Sequence, residues 1–419
     1  MAQSLSIALT GAGGAGVMTA GEMLLKLAAK AGYYGLMVRS SGPQIRGGEA
    51  AAFLRLSTHQ VVSQGDVVDV LFAFDWNNVE RFAAEIPLTE NSLVMCDVKA
   101  GDPPAMVTDP GAKVIAVPLT ETVKGIEGGR INMVGVGLIG GLLGLPEPVA
   151  RQLIADTLGK KGDAAVEASI AGYVAGEKLA ADAAASLVLN DAEPTGVPRW
   201  NISGNEATGL GAIKAGVRFV AAYPITPATE VLEWLAPNLE RLGGTLVQAE
   251  DELASVNMIL GGSFGGVPAL TATAGPGLSL MTEAIGLAVA SETPIVVVDV
   301  MRGGPSTGIP TKSEQTDLNI ALYGLHGDAP HVVTAANSIP DCQFTAQWTV
   351  HLAEALQTAA ILLTDQSLGQ ARAVVDKPAD IAFVGKRETW NGETETYLRY
   401  ANTASGVSPM AIPGTADGE

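Results

Sequence analysis

Short apolar segments typical of buried strands alternate with helix-like segments along almost the whole chain, and this alternation restricts the fold more than any other feature. It predicts an α/β architecture, because each helix can pack its apolar face on a mostly parallel sheet. The 419 residues exceed the size of one ordinary hydrophobic core, so two consecutive α/β domains are expected. The strand-like segments are 4–10, 35–39, 51–56, 69–74, 92–97 and 113–118, then 218–222, 245–248, 269–273, 294–300, 331–334 and 360–364.

A polar stretch rich in turn-forming residues interrupts this alternation near the middle of the chain. Clusters of Asn, Asp, Pro and Gly between two patterned regions are typical of linkers. We therefore predict a first α/β domain at 1–188, a linker at 189–204, a second α/β domain at 205–380 and an irregular tail at 381–419. The tail is rich in Thr, Gly and Pro, and it could wrap a partner.

The composition argues against several classes of protein. The net charge is −19 and no run of Lys and Arg is present, so the chain lacks the charge pattern of a nucleic-acid groove. No basic segment opens the chain and no apolar run reaches the ~18 residues of a membrane helix, which predicts a cytoplasmic protein without a membrane partner. The two cysteines, Cys96 and Cys342, cannot supply the about four thiolates of a 4Fe–4S cluster, so any such cluster would lie on another subunit.

A glycine-rich turn follows the first strand-like segment. The sequence Gly-Ala-Gly-Gly-Ala-Gly at 11–16, with Gly13 and Gly14 at its centre, separates a strand from a helix, where backbone N–H groups can bind a phosphate. The acid that a dinucleotide ribose requires about 20 residues later is replaced by Arg39, which suits the 2′-phosphate of NADP or the phosphorylated ribose of coenzyme A. A turn that binds nothing explains the glycines equally well.

The loop at 40–49 is also suited to anions, because it combines hydroxyl groups and glycines with one cation. Loops of this composition bind anions, but they also seal contacts between domains. Ser41 and Arg46 are therefore candidates for an anion site or for an interface.

In the second half, candidate groups follow four consecutive strand-like segments, at the edge where open parallel sheets bind ligands. The first strand runs into Tyr-Pro-Ile-Thr-Pro at 223–227, where two prolines fix the backbone and leave Thr226 on a rigid turn or in a helix N-cap region. The third strand ends in Thr-Ala-Thr-Ala-Gly-Pro-Gly at 271–277, which enters a helix and offers backbone groups to a ligand.

The second of these strands ends in three acids, Glu250, Asp251 and Glu252. The helix dipole alone can explain acids in a first helical turn. A functional interpretation requires one of them to point into the cleft, and the small residues after Glu252 leave room for a ring beside the helix. The Glu252 carboxyl could then share a proton with a heterocyclic nitrogen.

The fourth strand ends at Arg302, the only cation between residues 242 and 311. An arginine in apolar surroundings requires an anionic partner. The carboxylate of a 2-oxoacid would serve, and so would a structural Asp or Glu.

These motifs resemble those of the 2-oxoacid:ferredoxin oxidoreductases. The glycine-rich turn and the Ser-Gly-Pro-Gln-Ile-Arg-Gly-Gly-Glu segment at 41–49 resemble the gamma subunit, and the second half resembles the alpha subunit, particularly that of the 2-oxoglutarate enzymes. The order gamma then alpha covers nearly the whole chain, as in fused members of the family. The alpha-like motifs are Gly-Asn-Glu-Ala at 204–207, Tyr-Pro-Ile-Thr-Pro at 223–227, Gln-Ala-Glu-Asp-Glu at 248–252, Thr-Ala-Thr-Ala-Gly-Pro-Gly at 271–277 and Gln-Thr-Asp at 315–317.

The resemblance implies that the second domain is a thiamine-diphosphate fold of the pyrimidine-binding type with a mostly parallel sheet. It implies a separate beta subunit that holds the diphosphate, Mg²⁺ and a 4Fe–4S cluster, so no metal site is expected on this chain. The implied reaction converts a 2-oxoacid such as 2-oxoglutarate and coenzyme A to an acyl-CoA such as succinyl-CoA, with electrons passed to ferredoxin. The reverse reaction would fix CO₂, as in a reductive TCA cycle, and a dimer of alpha–beta units is expected.

The resemblance also implies roles for individual residues. Glu252 matches the glutamate that activates the aminopyrimidine, while Thr226 and Arg302 match positions that bind the substrate carboxylate. Thr311 lies where the family adjusts the side-chain pocket, and Lys312 beside it could pair with a distal carboxylate. The candidates for cofactor binding are Tyr223, Pro224, Ile225, Thr273 and Gly275, and those for coenzyme A or an interface are Gly13, Gly14, Ser41 and Arg46.

Several alternatives remain open from the sequence. Pyruvate or a branched-chain 2-oxoacid is the alternative substrate. An NADP-dependent reductase built on the first glycine turn would leave the groups at the strand ends unexplained, and a third possibility is a non-catalytic scaffold subunit. Family members carry a further alpha domain after a segment like 397–409, whereas this chain stops soon after it, so we expect either a truncated chain or a domain located elsewhere.

Overall fold

The structure is a computed structural model, and it describes residues 2–42, 48–77, 79–183, 187, 189–192, 196–392, 396–416 and 418. The chain forms two compact units. The first comprises Met1–Ile202 and Ala371–Lys377, and the second comprises Ser203–Gln370 and Pro378–Glu419.

Strands and helices alternate within both units, which confirms the predicted α/β class. The strands are β1 (Ser4–Ala12), β2 (Tyr34–Ser41), β3 (Glu49–Ser57), β4 (Val70–Ala73), β5 (Leu93–Asp97), β6 (Lys113–Val117), β7 (Arg199–Ser203), β8 (Phe219–Ala222), β9 (Thr245–Gln248), β10 (Ala269–Thr273), β11 (Ile295–Met301), β12 (Val332–Ala335), β13 (Ala359–Asp365) and β14 (Arg372–Asp376). The α-helices are α1 (Val17–Lys30), α2 (Ala105–Thr108), α3 (Leu119–Lys124), α4 (Ile131–Leu142), α5 (Glu147–Leu158), α6 (Asp163–Asp182), α7 (Gly204–Lys214), α8 (Thr229–Glu240), α9 (Glu252–Phe264), α10 (Gly275–Ala290), α11 (Leu318–Tyr323), α12 (Ile339–Leu356) and α13 (Gln366–Gln370). Short 3₁₀ helices occur at Val79–Glu85 and Gly159–Lys161.

The first unit contains an eight-stranded mixed sheet in the order β6-β5-β4-β1-β3-β2-β14-β7. Strands β1, β4, β5 and β6 run parallel, whereas β3 is antiparallel to both β1 and β2. Alternate residues of the strands, such as Ile7 and Leu9, pack with α1 and α4 in the core of this unit. Glycines let α4 and α6 approach closely, because a Cβ atom at Gly137 would overlap the backbone of Tyr173.

One strand of this sheet comes from a distant part of the chain. Strand β14 follows the second unit and pairs antiparallel with β2, with Arg372 opposite Met37. The sequence-based division assigned 205–380 to a single domain and did not foresee this return. An isolated apolar segment does not reveal which sheet it joins, because its pairing partner lies far away in sequence.

The second unit contains a parallel six-stranded sheet in the order β12-β13-β11-β10-β8-β9. Strands β10, β11 and β13 are buried along their whole length, as expected for central strands covered on both faces. Val296 and Val298 pack on the face covered by α7, α8 and α12, whereas Val297 and Met301 pack on the face covered by α9 and α10. This layered core holds the carboxyl ends of the strands at one edge of the sheet.

The described residues after 377 form an irregular segment that packs within the second unit. Arg387 pairs with Glu354 of α12 through two hydrogen bonds, Nε–Oε2 at 2.7 Å and Nη2–Oε1 at 2.8 Å, and both side chains are almost fully buried. Further along, the Gln357 side chain donates to the Ser408 carbonyl oxygen at 2.7 Å. Through these contacts the tail packs against the second unit, to which it belongs.

Candidate active site

The strand order of the second unit brings four predicted groups to one edge of the sheet. Strands β11, β10, β8 and β9 are successive neighbours and run parallel, so the segments that follow them begin at the same edge. These segments carry Thr226 after β8, Glu252 after β9, Gly275 after β10 and Arg302 after β11. Such strand ends are where open α/β sheets bind ligands.

The three acids that follow β9 have different environments in the structure. Glu250 is exposed, and Asp251 is exposed but caps α9, because its carboxylate accepts a hydrogen bond of 2.7 Å from the Ala254 N–H. Glu252 is the first residue of α9 and is only 8% exposed, and no donor among the described residues bonds its carboxyl. Helix capping therefore accounts for Asp251 and leaves Glu252 as a buried acid without a capping role.

Glycine at position 277 allows Glu252 to lie against the start of α10. A Cβ atom there would overlap Thr273 Oγ1 and would stand 2.7 Å from Glu252 Cγ and 3.0 Å from its Oε1. Thr273 is the fully buried last residue of β10. The Glu252 side chain thus packs beside Thr273, one of the predicted cofactor-binding residues.

Arg302 is buried just beyond the end of β11. Its Nη1 donates to the Thr226 carbonyl oxygen at 2.5 Å and its Nη2 donates to the Thr307 carbonyl oxygen, so the guanidinium connects the segments after β8 and β11. Its Nε is buried without a hydrogen-bond partner in the described part of the chain, where no carboxylate forms an ion pair with Arg302 either. The predicted neighbours Thr226 and Arg302 are therefore in contact, through a backbone carbonyl rather than through the threonine hydroxyl.

The charge of Arg302 is balanced only at a distance. Burial lowers the pKa of its guanidinium, and the negative charges of Asp317 and Glu252 oppose this effect. The sequence left open whether the anionic partner of Arg302 is a ligand or a structural acid. Acids lie near Arg302, but none of the described carboxylates forms an ion pair with it. N–H groups of Arg302 are therefore available to an anionic ligand.

Two acids near Arg302 were not among the predicted site residues. Asp299 lies within β11 and both of its carboxyl oxygens are buried, while Asp317 directly precedes α11. A single acid within the apolar run Ile-Val-Val-Val-Asp-Val-Met is a signal that could have identified Asp299, because buried acids require a partner. Asp317 stands in the Gln-Thr-Asp motif, but the spacing of residues along the sequence does not show which side chains lie beside it in the folded chain.

The predicted specificity residues lie on a closed loop after β11. Gly303 donates its N–H to the Lys312 carbonyl oxygen at 2.8 Å and accepts from the Ile309 N–H at 2.7 Å, which joins the two ends of the loop. Thr311 is half-buried, and its hydroxyl has no hydrogen-bond partner among the described residues. Lys312 is exposed on the same loop. The loop therefore carries one buried hydroxyl and one cation close to the end of β11.

Tyr223, Pro224 and Ile225 form the turn between β8 and α8. Ile225 packs against the core of the second unit, Pro224 is half-buried and Tyr223 is 40% exposed. The turn is thus anchored through Ile225 and presents the tyrosine ring at the surface.

In the first unit, the glycine-rich turn connects β1 to α1, with Gly13 and Gly14 exposed. Asp75, which the sequence reasoning missed, accepts a hydrogen bond of 3.0 Å from the Ala12 N–H. This carboxylate occupies one backbone donor of the turn and adds a negative charge beside it. Of the other candidates for coenzyme A or an interface, Ser41 is the half-buried last residue of β2, and Arg46 lies outside the described residues.

Both halves of the chain match known protein families. Residues 6–175 match the family described as pyruvate ferredoxin/flavodoxin oxidoreductase, and residues 210–414 match the thiamine-diphosphate-binding family of pyruvate flavodoxin/ferredoxin oxidoreductases. The second match contains every strand end of the candidate site.

Similar proteins carry related names. The 2-oxoacid:ferredoxin oxidoreductase subunit alpha of a Sulfolobus species is 30% identical over 481 residues, which cover 98% of this chain and 73% of the relative. The 2-oxoglutarate synthase subunit KorA of Archaeoglobus fulgidus is 46% identical over 177 residues, or 42% of this chain and 51% of the relative. This chain thus spans about half the length of the 2-oxoglutarate synthase relatives.

A solved structure has the same fold over the full length of the chain. The 2-oxoglutarate:ferredoxin oxidoreductase from Magnetococcus marinus, with 2-oxoglutarate, coenzyme A and succinyl-CoA bound, matches with a TM-score of 0.91 and 36% identity, covering 100% of this chain and 73% of that chain.

The second half of the chain is a thiamine-diphosphate-binding domain of the pyruvate flavodoxin/ferredoxin oxidoreductase type. The chain belongs to the 2-oxoacid:ferredoxin oxidoreductase family, and the predicted family is confirmed.

Proposed function

We propose that this chain is the subunit of a 2-oxoacid:ferredoxin oxidoreductase that binds the aminopyrimidine of thiamine diphosphate, and that the enzyme acts on 2-oxoglutarate. The observation that carries the proposal is the Glu252 carboxyl at the sheet edge, next to Thr273 and near Arg302. This carboxyl is buried and accepts no hydrogen bond from the described residues. The names of the 2-oxoglutarate synthase relatives support the substrate. The reaction would join the acyl group left by decarboxylation to coenzyme A and pass the electrons to ferredoxin, or run in reverse and fix CO₂.

The surroundings of Glu252 fit the aminopyrimidine ring. The carboxyl lies where the chain leaves a side-chain position empty at Gly277. Because no described donor engages the carboxyl, its oxygens are available to a ring nitrogen.

Thiamine diphosphate, when bound, supplies the nucleophilic carbon for attack on the keto group and accepts the electrons released as CO₂ leaves. Glu252 would hold a proton at a ring nitrogen of the aminopyrimidine and move it as a general acid and base. The burial of Glu252 and Thr273 keeps bulk water from this proton. The predicted cofactor residues Tyr223, Pro224, Ile225 and Gly275 would line the same edge of the sheet.

Arg302 would bind the carboxylate adjacent to the keto group. It has more N–H donors than the two carbonyl oxygens that it bonds, and its Nε is buried without an acceptor in the described chain. Thr226 keeps the guanidinium in place through its backbone. Thr311 and Lys312, on the loop after β11, would contact the distal part of the substrate, where a second carboxylate would favour 2-oxoglutarate over pyruvate.

The remaining parts of the enzyme belong to a partner subunit in this proposal. The two cysteines are both buried, and the described residues contain no group of side chains able to hold a metal ion. A beta subunit would hold Mg²⁺, the diphosphate and the 4Fe–4S cluster, and two alpha–beta units would assemble as a dimer. Within the described ranges no helix is long and apolar enough to cross a membrane, and a cytoplasmic location is part of the proposal.

Coenzyme A would bind through the first unit, at Gly13, Gly14, Ser41 or Arg46. The M. marinus neighbour with coenzyme A bound supports a coenzyme A site in the enzyme. The carboxylate of Asp75 beside the glycine-rich turn disfavours a phosphate at the Ala12 N–H itself, so Arg46 and the loop at 40–49 are the better candidates.

The proposal is tested by Glu252→Gln in the complex reconstituted with its beta subunit. The amide keeps the shape of the side chain but cannot exchange a proton, so turnover should fall by about 10²-fold or more. Glu250→Gln removes the same charge from an exposed position on the same segment and is the matched control, for which wild-type turnover is expected. Equal turnover of Glu252→Gln and wild type would favour the scaffold alternative.

Substrate and cofactor are tested on the same complex. We expect higher kcat/KM for 2-oxoglutarate than for pyruvate or 2-oxoisovalerate. Isothermal titration should detect thiamine diphosphate and coenzyme A, whereas tight binding of NADPH would favour the reductase alternative. A preference for pyruvate would contradict the proposed substrate but not the proposed chemistry.

A further inference from the structure

Two side chains of the loop after β11 bond the loop to the region where β13 meets α13. The Ser313 hydroxyl donates to Gln366 Oε1 at 2.8 Å, and Gln315 Nε2 donates to Asp365 Oδ2 at 2.7 Å. Both acceptors are buried, whereas both donors stand on an exposed part of the loop. The loop is therefore held from below by two consecutive residues of another element.

The order of the sheet explains why these partners lie beside the loop. Strand β13 is the parallel neighbour of β11, and Met301 is opposite Asp365 in the register. The loop after β11 and the helix after β13 therefore begin side by side at one edge of the sheet. The other carboxyl oxygen of Asp365 accepts the Leu368 N–H at 2.8 Å, so this acid fixes the first turn of α13 as well as the loop.

Helix α13 is a firm support because it packs closely on the start of α7. A Cβ atom at Gly204 would overlap the Leu368 carbonyl oxygen, and a Cβ atom at Gly369 would stand 2.5 Å from Asn205 Oδ1. Contacts this close leave α13 little freedom to shift. A loop bonded to α13 is thus bonded to the rigid core of the second unit.

The bond from Ser313 is the first of three in a row. Gln366 Nε2 donates to Gln370 Oε1 at 2.9 Å, and Gln370 Nε2 donates to Glu230 Oε1 at 3.0 Å. Glu230 lies in the first turn of α8, the helix that follows the turn carrying Thr226. We call this series the relay; its members are Ser313, Gln366, Gln370 and Glu230. The relay connects the loop after β11 with the helix after β8.

The carboxylate at the end of the relay determines the direction of every bond in it. An ionised carboxylate can only accept, so the amide nitrogen of Gln370 faces Glu230 and its amide oxygen faces Gln366. By the same reasoning the amide oxygen of Gln366 faces Ser313, whose hydroxyl must be the donor. Bonds that run in one direction polarise and strengthen one another. The relay therefore holds Ser313 in one orientation.

We propose that Ser313 and Gln366 are positioning residues that hold the loop after β11 against α13. Through this bond they place Thr311 and Lys312 at the distal part of the substrate, and so they favour a 2-oxoacid with a second carboxylate. Lys312 directly precedes Ser313, so a rotation of the loop at Ser313 would displace it. This inference rests on the proposed function for the roles of Thr311 and Lys312.

Hydrogen exchange of the full chain tests the hold on the loop. Ser313→Ala removes the donor, and Gln366→Met removes the acceptor but keeps an unbranched side chain of similar length. In both variants, peptides from 303–317 should exchange about five- to tenfold faster, as expected for the loss of one hydrogen bond. Ser306→Ala makes the same change at an exposed position of the loop and should exchange like the wild type. Wild-type exchange in Ser313→Ala overturns the proposal.

Steady-state kinetics of the reconstituted complex test the link to the substrate. In Ser313→Ala and Gln366→Met, kcat/KM for 2-oxoglutarate should fall about tenfold, mainly through a higher KM. The value for pyruvate should stay within about twofold, because pyruvate has no distal carboxylate. Ser313→Thr keeps the hydroxyl and should retain the preference of the wild type. An equal loss on both substrates would indicate a general structural effect and would refute the positioning role.

The double variant shows whether the two residues act through one bond. Removal of donor and acceptor together should lower kcat/KM for 2-oxoglutarate little more than either change alone, again about tenfold. Independent effects would multiply to about a hundredfold, and that result would contradict the proposal.

The two kinds of experiment separate this inference from the proposed function. Hydrogen exchange requires neither catalysis nor a partner subunit. In the kinetics, a wild-type preference for pyruvate would contradict the proposed substrate, whereas an unchanged ratio of kcat/KM in both variants would contradict the positioning role. If Gln366→Met does not fold, Ser313→Ala decides the question, because Ser313 is exposed.

Discussion

Replacing Gly277 by alanine tests the packing that holds Glu252 in place. The new Cβ atom would overlap Thr273 Oγ1 and would lie 2.7 Å from Glu252 Cγ, whereas carbon atoms are comfortable at about 3.5–4 Å. Thr273 is fully buried at the end of β10, so the start of α10 and the side chains of Thr273 and Glu252 must all shift, Glu252 by about 1 Å. Overpacking of this kind costs about 1–3 kcal/mol.

The substitution should also lower turnover. A displacement of about 1 Å at a reacting group lowers rates by about 10²-fold, so turnover of the reconstituted complex should fall to a similar extent as in Glu252→Gln. Affinity for thiamine diphosphate, measured by isothermal titration, should fall as well. Urea denaturation should give the loss of stability.

Gly286→Ala is the matched control, because it makes the same substitution on the same helix. A Cβ atom at Gly286 would meet no atom within 4 Å, so this variant should keep full turnover and gain up to about 1 kcal/mol from helix propensity. The reasoning is refuted if Gly277→Ala retains wild-type turnover and cofactor affinity, or if both alanine variants lose them equally.

Two further predictions concern stability. Tyr173→Phe should stabilise the first unit by about 1 kcal/mol in urea denaturation, because the Tyr173 hydroxyl is buried with no hydrogen-bond partner in the described chain; a loss of stability would indicate a partner for this hydroxyl. Arg387→Met should cost about 3–5 kcal/mol in the same assay, because it leaves the buried Glu354 carboxylate unpaired. The Arg387→Met, Glu354→Gln double variant should recover part of that loss, and no recovery would show that the tail depends on Arg387 for other contacts.

Several features of the fold were predictable because local sequence encodes them. Apolar runs such as 294–300 identify buried strands through length and composition, and the glycine-rich turn at 11–16 marks the passage from strand to helix. The two compact units, and the parallel sheet of the second, follow from the repeated order of these segments. The boundaries shifted by a few residues, as in β12, which begins at Val332 rather than at 331.

Other features depend on contacts between distant residues, and local patterns do not record these. Strand β14 joins the first sheet although it follows the second unit, and the tail packs on its own unit through Arg387 and Glu354. Asp317 lies against the start of α10, because both of its carboxyl oxygens are 2.5 Å from the position of a Cβ atom at Gly275, far away in sequence. In each case the partner is selected by sheet order and by packing between elements.

The candidate site combines both kinds of information. The order of residues along the chain was enough to predict that three consecutive acids follow one strand and that Thr226 and Arg302 follow two other strands. The different roles of these acids appear only in the folded chain. Asp251 caps α9, whereas Glu252 is buried beside Gly277 because β10 and α10 pack against its side of the helix. Residue types and their order along the chain are local properties, whereas the environment of a carboxyl is created by the elements that fold around it.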